Sequence, residues 1–311
     1  MGSNAGKKSM WKPIAKNLRG SIFETVSWFS LFFYPMTALE IWQYLFERAE
    51  YTEVLHELEA MTREKQLFFK DGRYFLPGHE TDVLESESRY RSSLKKLQIA
   101  SRAAKYLSFF REVKAVFVCN SLALMQARPE SDIDLFVIAS HGSLWRVRFA
   151  AVLPYALIGA RPDADSMQDT LCWSFFMSDS GFDLRRFSLN GDDPYLAFWG
   201  ATLLPIFDPD SLVVKIREES GFHELFPQLE LGEGKGLRAK GKGFSFHIPD
   251  IFEKPLRRFQ ESRFPPSIRN LIGKGSDVVV SDEALKFHTL DRRAEYRDRY
   301  LQILAQLGLK V

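Results

Sequence analysis

Apolar residues recur with a helical period through the first part of the chain and gather into short runs further on. Ile22, Val26, Phe29 and Phe33 share one face of a helix that Tyr34-Pro35 ends. Thr37-Ala38-Leu39-Glu40 has the form of a capping box, in which the threonine oxygen accepts from the amide three residues on and the glutamate reaches back. It opens a second helix reaching about Glu47. Thr52 caps a third, with Val54, Leu55, Leu58 and Met61 as its stripe. Residues 66–70 and 73–76 flank Asp71-Gly72, a pair suited to the positive φ angles of a tight hairpin. Three helices followed by a two-stranded wing are the order of a winged helix-turn-helix, predicted for residues 1–80. Its third helix carries Glu53, Glu57 and Glu59, and acid there does not suit a phosphate backbone. Docking or scaffolding is the favoured role over duplex-DNA reading.

Residues 81–110 form a linker helix in this reading. Its middle is basic, with Arg89, Arg91, Lys95, Lys96, Arg102 and Lys105. Such a run is usually a solvated face; the sharper alternative is an electropositive wall toward a phosphate-bearing ligand. Residues 113–118, 131–138 and 170–177 read as strands, and 143–158 as a helix between the last two. Residues 195–204 read as a core helix stopped by Pro205, and 282–307 as a final helix. The fold class is therefore mixed α+β. Residues 111–215 form the core, and 216–311 a helical C-terminal region entered by a flexible Gly/Lys-rich linker at 232–243.

Composition narrows the classes. The 311 residues suffice for about two domains, and 27 phenylalanines foretell aromatic cores. Lys plus Arg is 42 against 40 Asp plus Glu, so a net charge of +2 supplies no global field toward nucleic acid or membrane. Two cysteines, Cys119 and Cys172, exclude a disulfide framework and suit a reducing compartment. The apolar stretch 21–39 carries Glu24 and Pro35, and 149–160 is short and contains Pro154; neither offers the ~20 apolar residues of a span. With no signal-peptide core, a cytoplasmic chain with no membrane partner is expected. Oligomeric state is not readable.

The chemistry gathers at 120–134. Asp132 and Asp134 lie two apart at the start of an apolar strand, so their carboxylates share a face. Two like charges there are costly unless a cation neutralises them, and hard oxygen ligands select Mg²⁺ or Mn²⁺. Ser121 sits where the preceding strand turns into a helix, a place where a hydroxyl and amides can meet a triphosphate.

Asn120-Ser121, the stretch Ala127-Arg128-Pro129-Glu130-Ser131, and Asp132-Ile133-Asp134-Leu135 together resemble the signature of the polymerase β-like nucleotidyltransferase superfamily. Tyr74–Gly78, the linker helix, Leu171-Cys172 and Lys286-Phe287-His288 are similar to bacterial proteins that join a winged helix to such a core. The resemblance implies a mixed-sheet core and two-metal transfer of NMP from an NTP to a hydroxyl on RNA, a protein or a small molecule. It makes Asp132 and Asp134 metal ligands and Asn120, Ser121 and Arg128 nucleotide contacts. It also implies a third carboxylate from a later strand. Asp179 is preferred, on the premise that strand 170–177 runs antiparallel to the Asp132 strand; Asp169 and Asp183 are alternatives. Asn120 stands where the family has Gly. A nucleotide-sensing winged-helix regulator and an inactive complex subunit are the competing functions.

Overall fold

The computed structural model describes residues 10–157, 168–189, 192–229 and 245–309, so the predicted linker at 232–243 lies outside the described residues. Helix α1 (Leu18–Ser30) begins where Asn17 accepts from the Gly20 amide. Every residue from Gly20 to Ser30 is buried, more than a single apolar stripe predicts. Its polar groups find partners nearby: Thr25 donates to the Ser21 and Tyr44 carbonyls, and Glu24 accepts from the Ile14 and Ala15 amides. Helix α2 (Ala38–Gln43) carries both bonds of the Thr37/Glu40 capping box. Helix α3 (Tyr51–Arg63) is boxed by Glu50 and Glu53, so Thr52 is not its cap. Strands β1 (Phe68–Lys70) and β2 (Arg73–Phe75) pair across Asp71 and Gly72, whose φ angles are 50° and 78°.

The long helix α4 (Glu80–Leu107) leads into β3 (Val113–Val118), the single turn α5 (Asn120–Ala123), β4 (Ile133–Ala139), α6 (Leu144–Leu157) and β5 (Leu171–Ser178). Then come α7 (Pro194–Ala201), β6 (Leu204–Phe207), α8 (Leu212–Ser220) and α9 (Phe222–Leu225). The last elements are α10 (Glu253–Glu261), α11 (Pro266–Arg269), β7 (Val278–Val280), β8 (Ala284–Phe287) and α12 (Arg293–Gln306). The chain is thus mixed α+β, around a six-stranded sheet ordered β6-β3-β4-β5-β8-β7. The β4–β5 pair is parallel, and the other neighbours are antiparallel.

Two sequence expectations change here. The predicted helix 195–204 ends at Ala201, and Leu204–Phe207 is an edge strand with Pro205 opposite Phe117. Proline is tolerated there because an edge position needs no amide donor. The predicted helix 282–307 divides: Ala284–Phe287 joins the sheet beside β5, and the helix begins only at Arg293. The C-terminal region is therefore not wholly helical, because it completes the sheet.

Both sheet faces are covered. Ala115, Phe117, Phe136, Ile138, Phe175 and Met177 share a core with α1, α7 and α12. The alternate residues, among them Val116, Leu135, Val137 and Phe176, pack with α4 and α6. Trp28 of α1 stacks on Phe198 of α7 at 4.9 Å and meets Tyr300 of α12 edge-on at 5.4 Å. The N-terminal helices and the sheet therefore share one core. No helix among the described residues is long and apolar enough to cross a membrane. Trp28→Ala is expected to cost about 3–5 kcal/mol, read as a lowered urea midpoint. Because the seam is shared, far-UV circular dichroism and tryptophan emission should lose it in one coincident transition.

Candidate functional site

Period two places Asp132 and Asp134 on the face of β4 that carries Phe136 and Ile138. Parallel pairing then sets Cys172 directly opposite Asp134. One ligand atom from each of Asp132, Asp134 and Cys172 falls within 4.8 Å of the others, and among the described residues only this group meets that criterion. Asn120 closes the near side. Its φ of 57° is left-handed, a conformation asparagine tolerates better than most residues. That turn lets its Nδ2 donate to Asp134 Oδ2 at 2.7 Å, while Tyr195 donates to its Oδ1 at 3.3 Å.

Burial raises the Asp132 carboxyl above its ordinary range. Burial, and then the charge of Asp132, push Asp134 to about 6. Burial and the charge of Asp134 also raise the Cys172 thiol, so without a cation it stays protonated. The site is a desolvated pair of carboxylates facing a thiol, and its own like charges work against it.

Lys96 holds the two strand starts together. Its side chain is wholly buried. Its ammonium donates to the Pro129 and Ser131 carbonyls at 3.0 and 2.6 Å and to Asp169 Oδ1 at 2.8 Å. The first two belong to the loop entering β4, and Asp169 lies two residues before the start of β5. Burial alone would raise the Asp169 carboxyl, but hydrogen bonds from Lys95 and Lys96 hold it below its ordinary value. One cation of α4 thus fixes the backbone beneath Asp132, Asp134 and Cys172.

A cavity of about 380 Å³ opens over these three groups. Its other wall comes from β8 and the start of α12, with Lys286, His288, Asp291, Arg292 and Arg293. Arg293 is committed to Asp291 and Asp193, at 2.6 and 2.9 Å. Burial and the charge of Arg293 lower Lys286 to about 8; its Nζ donates to the Ser276 carbonyl. Burial, Lys286 and Arg293 lower His288 to about 4, so it is neutral at pH 7 and lies 3.0 Å from Ser174 Oγ. Carboxylates therefore face a cationic wall across the cavity, an arrangement suited to a polyanion that brings a cation with it.

The structure brings Asp132, Asp134 and Asn120 together and separates the rest. Asp179 is corrected: because β4 and β5 run parallel, it lies at the opposite end of the sheet. There its amide donates to the Ala139 carbonyl and its Oδ1 accepts from the His141 amide at 2.7 Å. Asp169 is at the right end but serves Lys95 and Lys96. Asp183 caps a 3-10 turn and pairs with Arg185. Ser121 lines a second, aromatic cavity. Arg128 is exposed and lies over the Phe33 ring at 5.3 Å.

Sequence reading missed Cys172 and Lys96. A signal for Lys96 exists: it shares one helical face with Arg89, Ser93, Ala100, Ala103 and Leu107, all buried, and so does not belong to a solvated stripe. No protein-family model, curated protein or solved structure matches the chain.

Lys96→Met leaves half-buried Asp169 with Lys95 alone and the Pro129 and Ser131 carbonyls short of a donor, and is expected to cost about 3 kcal/mol in urea unfolding. The raised Asp134 carboxyl also has a sign. Without metal, the folded form keeps a proton that the unfolded chain releases near 3.8, so this group's contribution to stability falls as pH rises from there to about 6. Asp134→Asn should therefore gain on the parent protein across that window in chelator, as measured by melting curves.

Proposed function

We propose that this chain is a metal-dependent nucleotidyltransferase of the polymerase β-like type, moving NMP from an NTP to a hydroxyl acceptor. In the reaction the acceptor oxygen bonds to the α-phosphorus, the bridging bond to pyrophosphate breaks, and the hydroxyl proton is released. The observation that carries the reading is the convergence of Asp132 and Asp134 with Asn120 at the mouth of a cavity whose far wall is cationic.

The donor set fits a divalent cation, since two half-buried carboxylates this close repel each other until one is bound. Asp132, Asp134 and Cys172 are the residues that would hold it. The cation supplies charge neutralisation at the phosphates and a lower pKa for the attacking hydroxyl. Asn120 keeps Asp134 oriented, and Lys286 and Arg292 draw the phosphates toward the other wall. Cys172 stands where the resemblance asks for a carboxylate. A thiol departs from the all-oxygen shell that Mg²⁺ prefers and favours Mn²⁺ or a softer cation.

The winged helix-turn-helix read over residues 1–80 takes α1 to β2 as its elements. Its third helix exposes Glu53, His56 and Glu59, which favours docking to a protein over reading duplex DNA. RNA remains a proposed acceptor for the core. The sulfur at the third corner favours a second reading, in which the core binds nucleotide and senses it without transfer.

The test is label transfer from each α-labelled NTP with Mg²⁺ or Mn²⁺, to total RNA, to cell extract, or with no acceptor. Asp132→Asn and Asp134→Asn are each expected to lower transfer by about a thousandfold. Cys172→Asp should move the metal preference from Mn²⁺ toward Mg²⁺. Metal-dependent NTP binding without transfer would establish the sensing reading, and neither binding nor transfer would end both.

A further inference from the structure

The second cavity has a different chemistry from the first. It measures about 280 Å³ and lies between α1 and α7 beside the α5 turn. Its floor is the stacked pair of Trp28 and Phe198. Three half-buried rings, Phe32, Tyr195 and Tyr296, stand within 5.0–6.3 Å of one another along its wall. Asn120, Tyr195, Trp199 and Tyr296 line both this cavity and the carboxylate cavity, so the two are neighbours with a common wall.

One polar group in the aromatic cavity has no internal explanation. Gln126, which follows the α5 turn, is only 5% exposed, and its Oε1 has no hydrogen-bond partner. A buried carbonyl left unpaired is costly, and native structures rarely keep one without a use. An aliphatic occupant would leave that oxygen unpaired. A flat ring bearing an N–H would stack on the aromatic wall and, with a rotation of the Gln126 side chain toward the cavity, satisfy it.

We infer that the aromatic cavity is a nucleobase site, with Phe32, Tyr195 and Tyr296 as the stacking surface and Gln126 as the hydrogen-bonding group that tells one base from another. This rests on the proposed nucleotide chemistry of the adjoining cavity and gives that site its base subsite. A nucleotide seated so places its ring between α1 and α7 and extends its phosphates past Asn120 toward Lys286 and Arg292. It also accounts for Ser121 lying in the aromatic cavity: there the hydroxyl serves the ring or sugar end of the ligand.

The experiment uses the full chain without metal. Adenosine, guanosine, cytidine and uridine are titrated separately, with intrinsic tryptophan emission as the readout, Trp28 and Trp199 being the two of the six tryptophans that line the cavity. Saturable quenching with a preference for one nucleoside is expected. Phe32→Ala should weaken binding by about tenfold, the usual effect of losing one stacking ring. Gln126→Met keeps the side-chain length and should abolish the preference between bases while leaving quenching in place. Melting curves of both variants establish that they fold.

Absence of saturable quenching by all four nucleosides would overturn the inference. So would binding that neither substitution alters. Nucleosides carry no phosphate and the titration holds no metal, so its result is independent of transfer. Label transfer without nucleoside binding would keep the transferase reading and discard the base site. Nucleoside binding without transfer would do the reverse.

Discussion

A single buried ammonium governs the geometry of the candidate site. Lys96 spends its three donors on the loop entering β4 and on Asp169, two residues before β5. The two strand starts that it joins carry Asp132, Asp134 and Cys172. A cation wholly out of water needs a full set of acceptors, and each acceptor here belongs to backbone or side chain that frames the site. The clamp explains how like charges can be held close. Burial and the charge of Asp132 oppose Asp134 being ionised, hydrogen bonds from Asn120 and the Cys172 thiol ease that cost, and the charge of Lys96 acts on Asp132.

Much of the local structure could be read from the residues. The Thr37/Glu40 box, the Asp71-Gly72 turn and the two-residue spacing of Asp132 and Asp134 are short-range signals, and each acts within one or two turns of chain. What escaped reading depended on pairing across distance. Asp179 qualifies only on the premise of an antiparallel neighbour, yet the helix α6 between β4 and β5 is the kind of crossover that parallel strands require. Strands β7 and β8 were hidden because three or four residues show too little alternation to stand out from a helix. Pro205 reads as a helix stop, and only the sheet edge reveals it as a strand residue. Cys172 reads as a buried thiol until register puts it opposite Asp134.

The two cavities divide the chemistry of one face of the sheet. One is bounded by carboxylates, a thiol and cations, and the other by rings with the amides of Gln126 and Asn120. Asn120 belongs to both, and its left-handed backbone is what turns its side chain onto Asp134. A glycine there would adopt the same backbone freely. It would, however, forfeit the amide that links the carboxylate to Tyr195. The departure from the glycine of the resembling family is thus a structural substitution with its own network, not a vacancy in a pattern.

The shared core of α1 and α12 bears on how the chain is made. Tyr300 donates to the Glu24 carbonyl across 276 residues, and β8 reaches β5 only after the long excursion through α7 to α11. During synthesis α1 emerges with its apolar surface long before α12, the partner that covers part of it. Contacts so distant in sequence are slow to form, because the intervening chain must be ordered first. Until β8 is made the edge of β5 stays open, and until α12 is made Trp28 lacks its Tyr300 neighbour, surfaces on which a chaperone would act.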